Sequence, residues 1–190
     1  GRRAARRAGG AERRRAAEGR RRRGAAASRG PDKSAGSDLA TARRNALLAA
    51  GLVALRGPGV RVALADSSLS ASPSGDVNDL VIHSSDVQAT VNALWRSGAE
   101  AISINGERLV GTSAVLCVGN TLLLNGTVHS PPYVVSALGA DRNKFEADAL
   151  VERLHQDAKN FGLKFSIRSV NRVAIAAYDG STVPKYARPS

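Results

Sequence analysis

Four side chains in this sequence have the chemistry of nucleophiles, bases or soft metal ligands: Cys117, His83, His129 and His155. A cysteine beside a histidine would make a thiolate nucleophile with its base. The surroundings argue against it. Cys117 lies in the apolar run Ala114-Val115-Leu116-Cys117-Val118, where a strand cysteine is expected to be buried and to act as a small hydrophobe. His83 precedes a helix, His129 stands beside two prolines, and His155 is on a second helix. Their spacing matches no zinc pattern. The carboxylates do no better. Asp76 and Asp79 fall in a polar loop, and Asp148 with Glu152 is an ordinary i, i+4 pair on a helix face. No Gly-Lys-Ser/Thr follows the glycines, so there is no phosphate loop. The expectation is a non-enzyme with no catalytic residue, metal, cofactor or small-molecule substrate.

Residues suited to recognition are more evident. Asn120, Asn125, His129, Ser130, Pro131, Pro132 and Tyr133 cluster where strands turn, and they are expected to form an exposed interaction surface. As turn formers they have an ordinary role as well. The second candidate is electrostatic. The net charge is +12, and residues 1–44 hold 15 Lys+Arg against 4 Asp+Glu. The remaining 146 residues are nearly neutral. Arg13, Arg14, Arg15, Arg20, Arg21, Arg22 and Arg23 are the candidate contacts for a polyanion, either nucleic acid or anionic lipid. No aromatic residue interleaves them, so base stacking is unsupported. With few large apolar residues, residues 1–36 are expected to be disordered.

These candidates depend on the elements that carry them. Leu109–Gly139 is rich in Val, Leu and Thr and is cut by Gly and Asn, as expected for consecutive strands and tight turns. The expected strands are Leu109–Val118, Thr121–Asn125 and Tyr133–Leu138. Upstream, Asp38–Val53 reads as a lead-in helix capped by Asp38 and stopped by Gly57-Pro58-Gly59. Val60–Leu64 reads as a strand, residues 66–79 as a loop, and Leu80–Ile82 as a short strand or a lead-in to the next helix. Ser85 with Gln88 marks the start of a helix. Val87, Val91, Leu94 and Trp95 share its apolar face, which makes Trp95 the expected aromatic anchor of the core. Ala101–Ile104 and the Asn105-Gly106 turn open a hairpin. A long helix from Asp141 or Asn143 to about Asn160 precedes a closing hairpin, Leu163–Val170 and Arg172–Tyr178, around Asn171.

Gly98–Val110 and Gly162–Ala174 echo one another. Each follows a helix and reads as apolar residues, a turn with Asn and a basic residue, then more apolar residues. A β-α-β-β plan used twice gives the expected fold class: α+β, a ferredoxin-like pseudo-duplicated sandwich, mostly antiparallel, with helices on one face. The expected domains are a tail at 1–37, a lead-in helix at 38–56 and an α+β domain at 57–190. The longest apolar run, Ala46–Leu55, reaches about 15 Å as a helix, too short to cross a bilayer core of about 30 Å.

The segments LRGPGVRVAL, VNALWRSGAEAISINGERL and CVGNTLLLNGTVHSPPYVVSALG resemble actinobacterial members of the bacterial family called domain of unknown function 881. The resemblance covers about residues 39–178. It implies an α+β domain, usually preceded by a membrane helix and a coiled-coil-like helix, with a loose link to cell division and sporulation. Such a domain would be membrane-tethered and extracytoplasmic. In this sequence an Arg-rich tail stands in the place of the membrane helix. No activity and no catalytic residue come with the resemblance. The expected partner is therefore another protein of the envelope or division machinery, with a homodimer through the lead-in helix.

Overall fold

The computed structural model of the chain describes residues 33–119 and 121–181. It divides into two units, 1–45 and 46–190. Helix α1 (Lys33–Ala49) is exposed along residues 36–46. It starts and stops earlier than the Asp38–Val53 helix expected from sequence. Asp38 therefore lies within it, and Gly51, at φ +75°, turns the chain after its end.

Gly57-Pro58-Gly59 does not act as a bare stop. It lies inside strand β1 (Leu55–Ala65), at a break in the register between β1 and the last strand, β8 (Lys164–Ile175). Proline is tolerated at such a break because it has no N–H to give to the ladder. Its carbonyl still accepts from Gly139 N–H at 2.9 Å. Gly59 is required for close approach: a Cβ there would collide with the carbonyl oxygen of Ala137.

After β1 come a single 3-10 turn (Val77–Leu80), mostly within the expected loop, and helix α2 (Ser84–Arg96), with residues 80–82 leading in to it and forming no strand. The cap of α2 is two residues earlier than Ser85 and Gln88, at His83 with Asp86. His83 N–H donates to Asp86 Oδ2 at 2.8 Å. Strands β2 (Ala101–Ile104) and β3 (Glu107–Arg108) form the expected hairpin, with Asn105 and Gly106 both at positive φ. That is the backbone an Asn-Gly turn provides. Residues 109–114 are not a strand. Three short strands follow: β4 (Val115–Val118), β5 (Thr121–Leu124) and β6 (Thr127–His129). Strand β7 (Tyr133–Leu138) returns to the main sheet.

The helix expected over 141–160 is two helices, α3 (Arg142–Glu146) and α4 (Ala149–Phe161). Asp148 separates them, because its carboxylate accepts from Leu150 N–H at 3.0 Å and caps the second. The expected closing hairpin around Asn171 does not form. Residues 164–175 are one strand, paired along β1 from Ala65–Lys164 to Leu55–Ile175.

The main sheet has the order β3-β2-β7-β1-β8, and its adjacent pairs are antiparallel. A separate three-stranded antiparallel sheet has the order β4-β5-β6. The fold is α+β. Two helical crossovers build the main sheet: β1 to β2 through α2, and β7 to β8 through α3 and α4. In each case one antiparallel strand lies between the two strands joined. Period-two alternation puts Val60, Val62, Leu64, Ile102, Ile104, Val135 and Ala137 on one face. They bury together with Val87, Val91, Leu94, Phe145 and Val151 from the helices. The opposite face carries a smaller cluster of Ala101, Leu138, Val173 and Ile175.

Candidate functional site

The small sheet has two unequal faces. Leu122 and Leu124 point inward and are buried, and Val115 packs against the main core. The register places Leu116 opposite Leu123, and Leu123 opposite Val128. Residues two apart share a face, so Val118 and Thr121 belong to this row as well. Leu116, Val118 and Val128 are 53%, 50% and 57% exposed. An outward face of a three-stranded sheet is normally polar. Here it is an apolar stripe.

A cleft of about 440 Å³ adjoins the stripe, between α2 and residues 109–116. Its walls include Trp95, Val91, Leu109 and Leu116. Gln88 donates from Nε2 to the carbonyl of Val115 at 2.8 Å and holds strand β4 against the helix. Trp95 is 42% exposed, so it is not the core anchor expected from its spacing. Leu94 takes the buried position, and the indole one residue further round the helix faces the cleft.

The sequence-derived interaction residues separate. Asn125 is a structural turn residue: its Nδ2 donates to Arg108 O at 3.1 Å and its Oδ1 accepts from Ser113 Oγ at 2.8 Å. It sits at φ 50°, ahead of Gly126. His129 is partly buried and pairs through Nε2 with Glu107 Oε1 at 3.2 Å. Ser130 and Pro132 are exposed, and the Pro131–Pro132 bond is cis. Tyr133 is fully buried, which removes it from any exposed surface. Its phenol pKa is raised, first by burial and then by Asp66 and Cys117. Asn120 and the seven arginines from Arg13 to Arg23 lie outside the described residues.

Cys117 is exposed, contrary to the buried position expected of it. It lies opposite Leu122 on β4, an edge strand of the small sheet, and its Sγ lies 3.2 Å from the carbonyl of Gly119. His83 Nε2 is 2.9 Å from Asn78 O, and the His155 ring meets Phe165 edge-on at 4.7 Å. The reactive side chains are thus engaged in different local contacts. Among the described residues no group of three or more His, Cys, Asp or Glu is placed to hold a metal ion. No helix among them is long and apolar enough to cross a membrane.

Composition hid the stripe, because Leu116 and Val118 look like core strand residues. The signal that carried it was alternation within two strands at once, Leu116/Val118 with Leu123, and Val128 beyond the Asn125-Gly126 turn.

The chain is similar to several bacterial proteins. Residues 43–188 match the family model described as "Bacterial protein of unknown function (DUF881)". The UPF0749 protein YlxW of Bacillus subtilis (strain 168) is 40% identical over 90 residues, 47% of this chain and 38% of that protein. The UPF0749 protein Rv1823 of Mycobacterium tuberculosis (strain ATCC 25618 / H37Rv) is 32% identical over 140 residues, 68% of this chain and 45% of that protein. The chain therefore spans less than half the length of these relatives. A crystal structure of an uncharacterized conserved protein from Mycobacterium tuberculosis superposes with a TM-score of 0.58 at 25% identity. That match covers 76% of this chain and 96% of the other. The chain belongs to the family of bacterial proteins called domain of unknown function 881.

Proposed function

On the premise of that family membership, we propose that the α+β domain is a non-enzymatic structural and protein-interaction module of the cell envelope or division machinery. One observation carries this reading: the outward apolar row Leu116, Leu123 and Val128, flanked by Val118 and by the cleft under Trp95. Contiguous exposed apolar surface beside an aromatic-lined cleft is typical of protein interfaces. The occupant is the apolar face of a protein partner. The assignment to the envelope is supported by the resemblance drawn from the sequence. Exposure along helix α1 supports a stalk role for it, with self-association through Leu39.

The strand order β2-β7-β1-β8 with its two helical crossovers supports a ferredoxin-like core. Support for internal duplication is weaker, because the second repeat ends in the continuous strand β8 where the first has a hairpin.

The test is recovery of partners from an envelope fraction by the full chain and by the double variant Leu116→Glu, Val128→Glu. Each side chain is already about half-buried, so covering the rest of both is worth about 1.5–3 kcal/mol together, and the variant should lose about tenfold or more in recovery. Equal recovery by the two proteins would remove the stripe as the interface. A second reading is polyanion binding through the tail, favoured by the concentration of positive charge in residues 1–44.

A further inference from the structure

Arg108 is 6% exposed, and among the described residues its Nε and Nη1 have no hydrogen-bond partner. Its guanidinium pKa is lowered by burial. A buried charge without a counter-charge is costly and is rarely retained without a use. Register fixes where the side chain goes. Arg108 stands opposite Ser103, and Glu107 opposite Ile104. Glu107 therefore faces the helix-side core, while Arg108 lies on the opposite face.

Two segments close over it. A Cβ built on Gly51 would stand 3.8 Å from Arg108 Nε. Tyr178 N–H donates to Gly51 O at 2.9 Å and straps residues 176–180 to that loop. Between the strap and strand β3 is a cleft of about 340 Å³, lined by Arg108, Thr127, Asn125 and the 176–180 segment. Glu107 and Asp179 also line it. A guanidinium presents paired donors that fit a planar two-oxygen acceptor. Asp179, the carboxylate on the strap side, repels a dianion about twice as strongly as a monoanion, which favours a carboxylate over a phosphate.

We propose that the cleft between β3 and the 176–180 strap is a carboxylate-binding site, with Arg108 as its cation. The carboxylate belongs either to a free small acid or to a peptide terminus. This site is on a different surface from the apolar stripe and stands or falls separately from it.

The experiment is a titration of the isotope-labelled full chain with sodium acetate, against sodium chloride at equal ionic strength, following the Arg108 Nε resonance and the Gly106 and Gly180 amides. Acetate should shift all three saturably, and chloride should not. Arg108→Met should abolish the amide shifts. Thr127→Glu, an exposed change that leaves Arg108 in place, should weaken acetate by about tenfold through like-charge repulsion. A short peptide with a free C-terminus is then compared with acetate and with its amidated form. Tighter binding lost on amidation identifies a chain-borne carboxylate, and binding equal to acetate identifies a free acid. Shifts no larger than those from chloride, shifts that survive in Arg108→Met, or tighter binding of phosphate than of acetate would each overturn the assignment.

Discussion

Asp148 joins two elements through one carboxylate. It accepts from Leu150 N–H as the cap of α4 and pairs with Arg96 Nε of α2 at 2.8 Å. Its pKa is lowered, first by the Arg96 hydrogen bond, against opposing burial. A depressed folded-state pKa means the stabilisation is fully present above the ordinary value of 3.8 and is lost as pH falls through the lower folded value. Asp148→Ala should cost about 1 kcal/mol, mostly as the lost cap, since exposed ion pairs contribute little. Urea midpoints at neutral pH and below pH 3.8 check this: the gap between wild type and variant should narrow in acid. In the sequence Asp148 and Glu152 show only an i, i+4 spacing; the helix break that makes Asp148 a cap is not visible there. Cys117 has a similar history. Its neighbours are apolar, yet it is exposed, so a thiol reagent should label it in the native protein without denaturant. Labelling only after unfolding would mean that edge strand β4 is covered at Cys117 in the native protein.

Local chemistry made some elements legible, and distant pairing hid others. The Asn105-Gly106 and Asn125-Gly126 turns were readable because positive φ at both residues is a property of those residues. The five-residue core of β1 and the whole of β2 and β7 were readable from their alternation. Strand β8 was not, since Asn171 looks like a turn, and only the β1 pairing on either side of it, Gly57–Val173 and Gly59–Val170, makes it a register break within one strand. Residues 57–59 failed for the same reason: Pro58 breaks an isolated helix, but in the sheet it occupies a register break. This makes Gly59 the sharper test. Gly59→Ala forces a Cβ onto the Ala137 carbonyl across β1 and β7, so a cost of about 2 kcal/mol or more is expected. Gly106→Ala meets no atom within 4 Å and pays only for its φ of +90°, about 1 kcal/mol. Chemical denaturation should rank the two in that order; the reverse order would mean that β1 and β7 are not in this register.

On the scale of the molecule, charge and fold occupy different parts of the chain. The buried clusters run from Val60 to Ile175, while residues 1–44 carry 15 Lys+Arg against 4 Asp+Glu. A chain reduced to residues 46–190 should therefore keep its cooperative unfolding. The same truncation separates the two functional readings. If the tail binds polyanions, the full chain should bind duplex DNA or anionic vesicles with an affinity that falls steeply with salt. Neutralising about 6–10 phosphates would cost about 10³–10⁵ in affinity between 50 and 200 mM salt. The truncated chain, almost neutral, should bind neither, and it should still recover any partner that docks on Leu116 and Val128. Salt-dependent binding retained after truncation would place the polyanion site on the domain itself. Partner recovery lost after truncation would move the interface from the small sheet to helix α1 or the tail. The two measurements use the same pair of proteins, and each reading predicts a loss where the other predicts none.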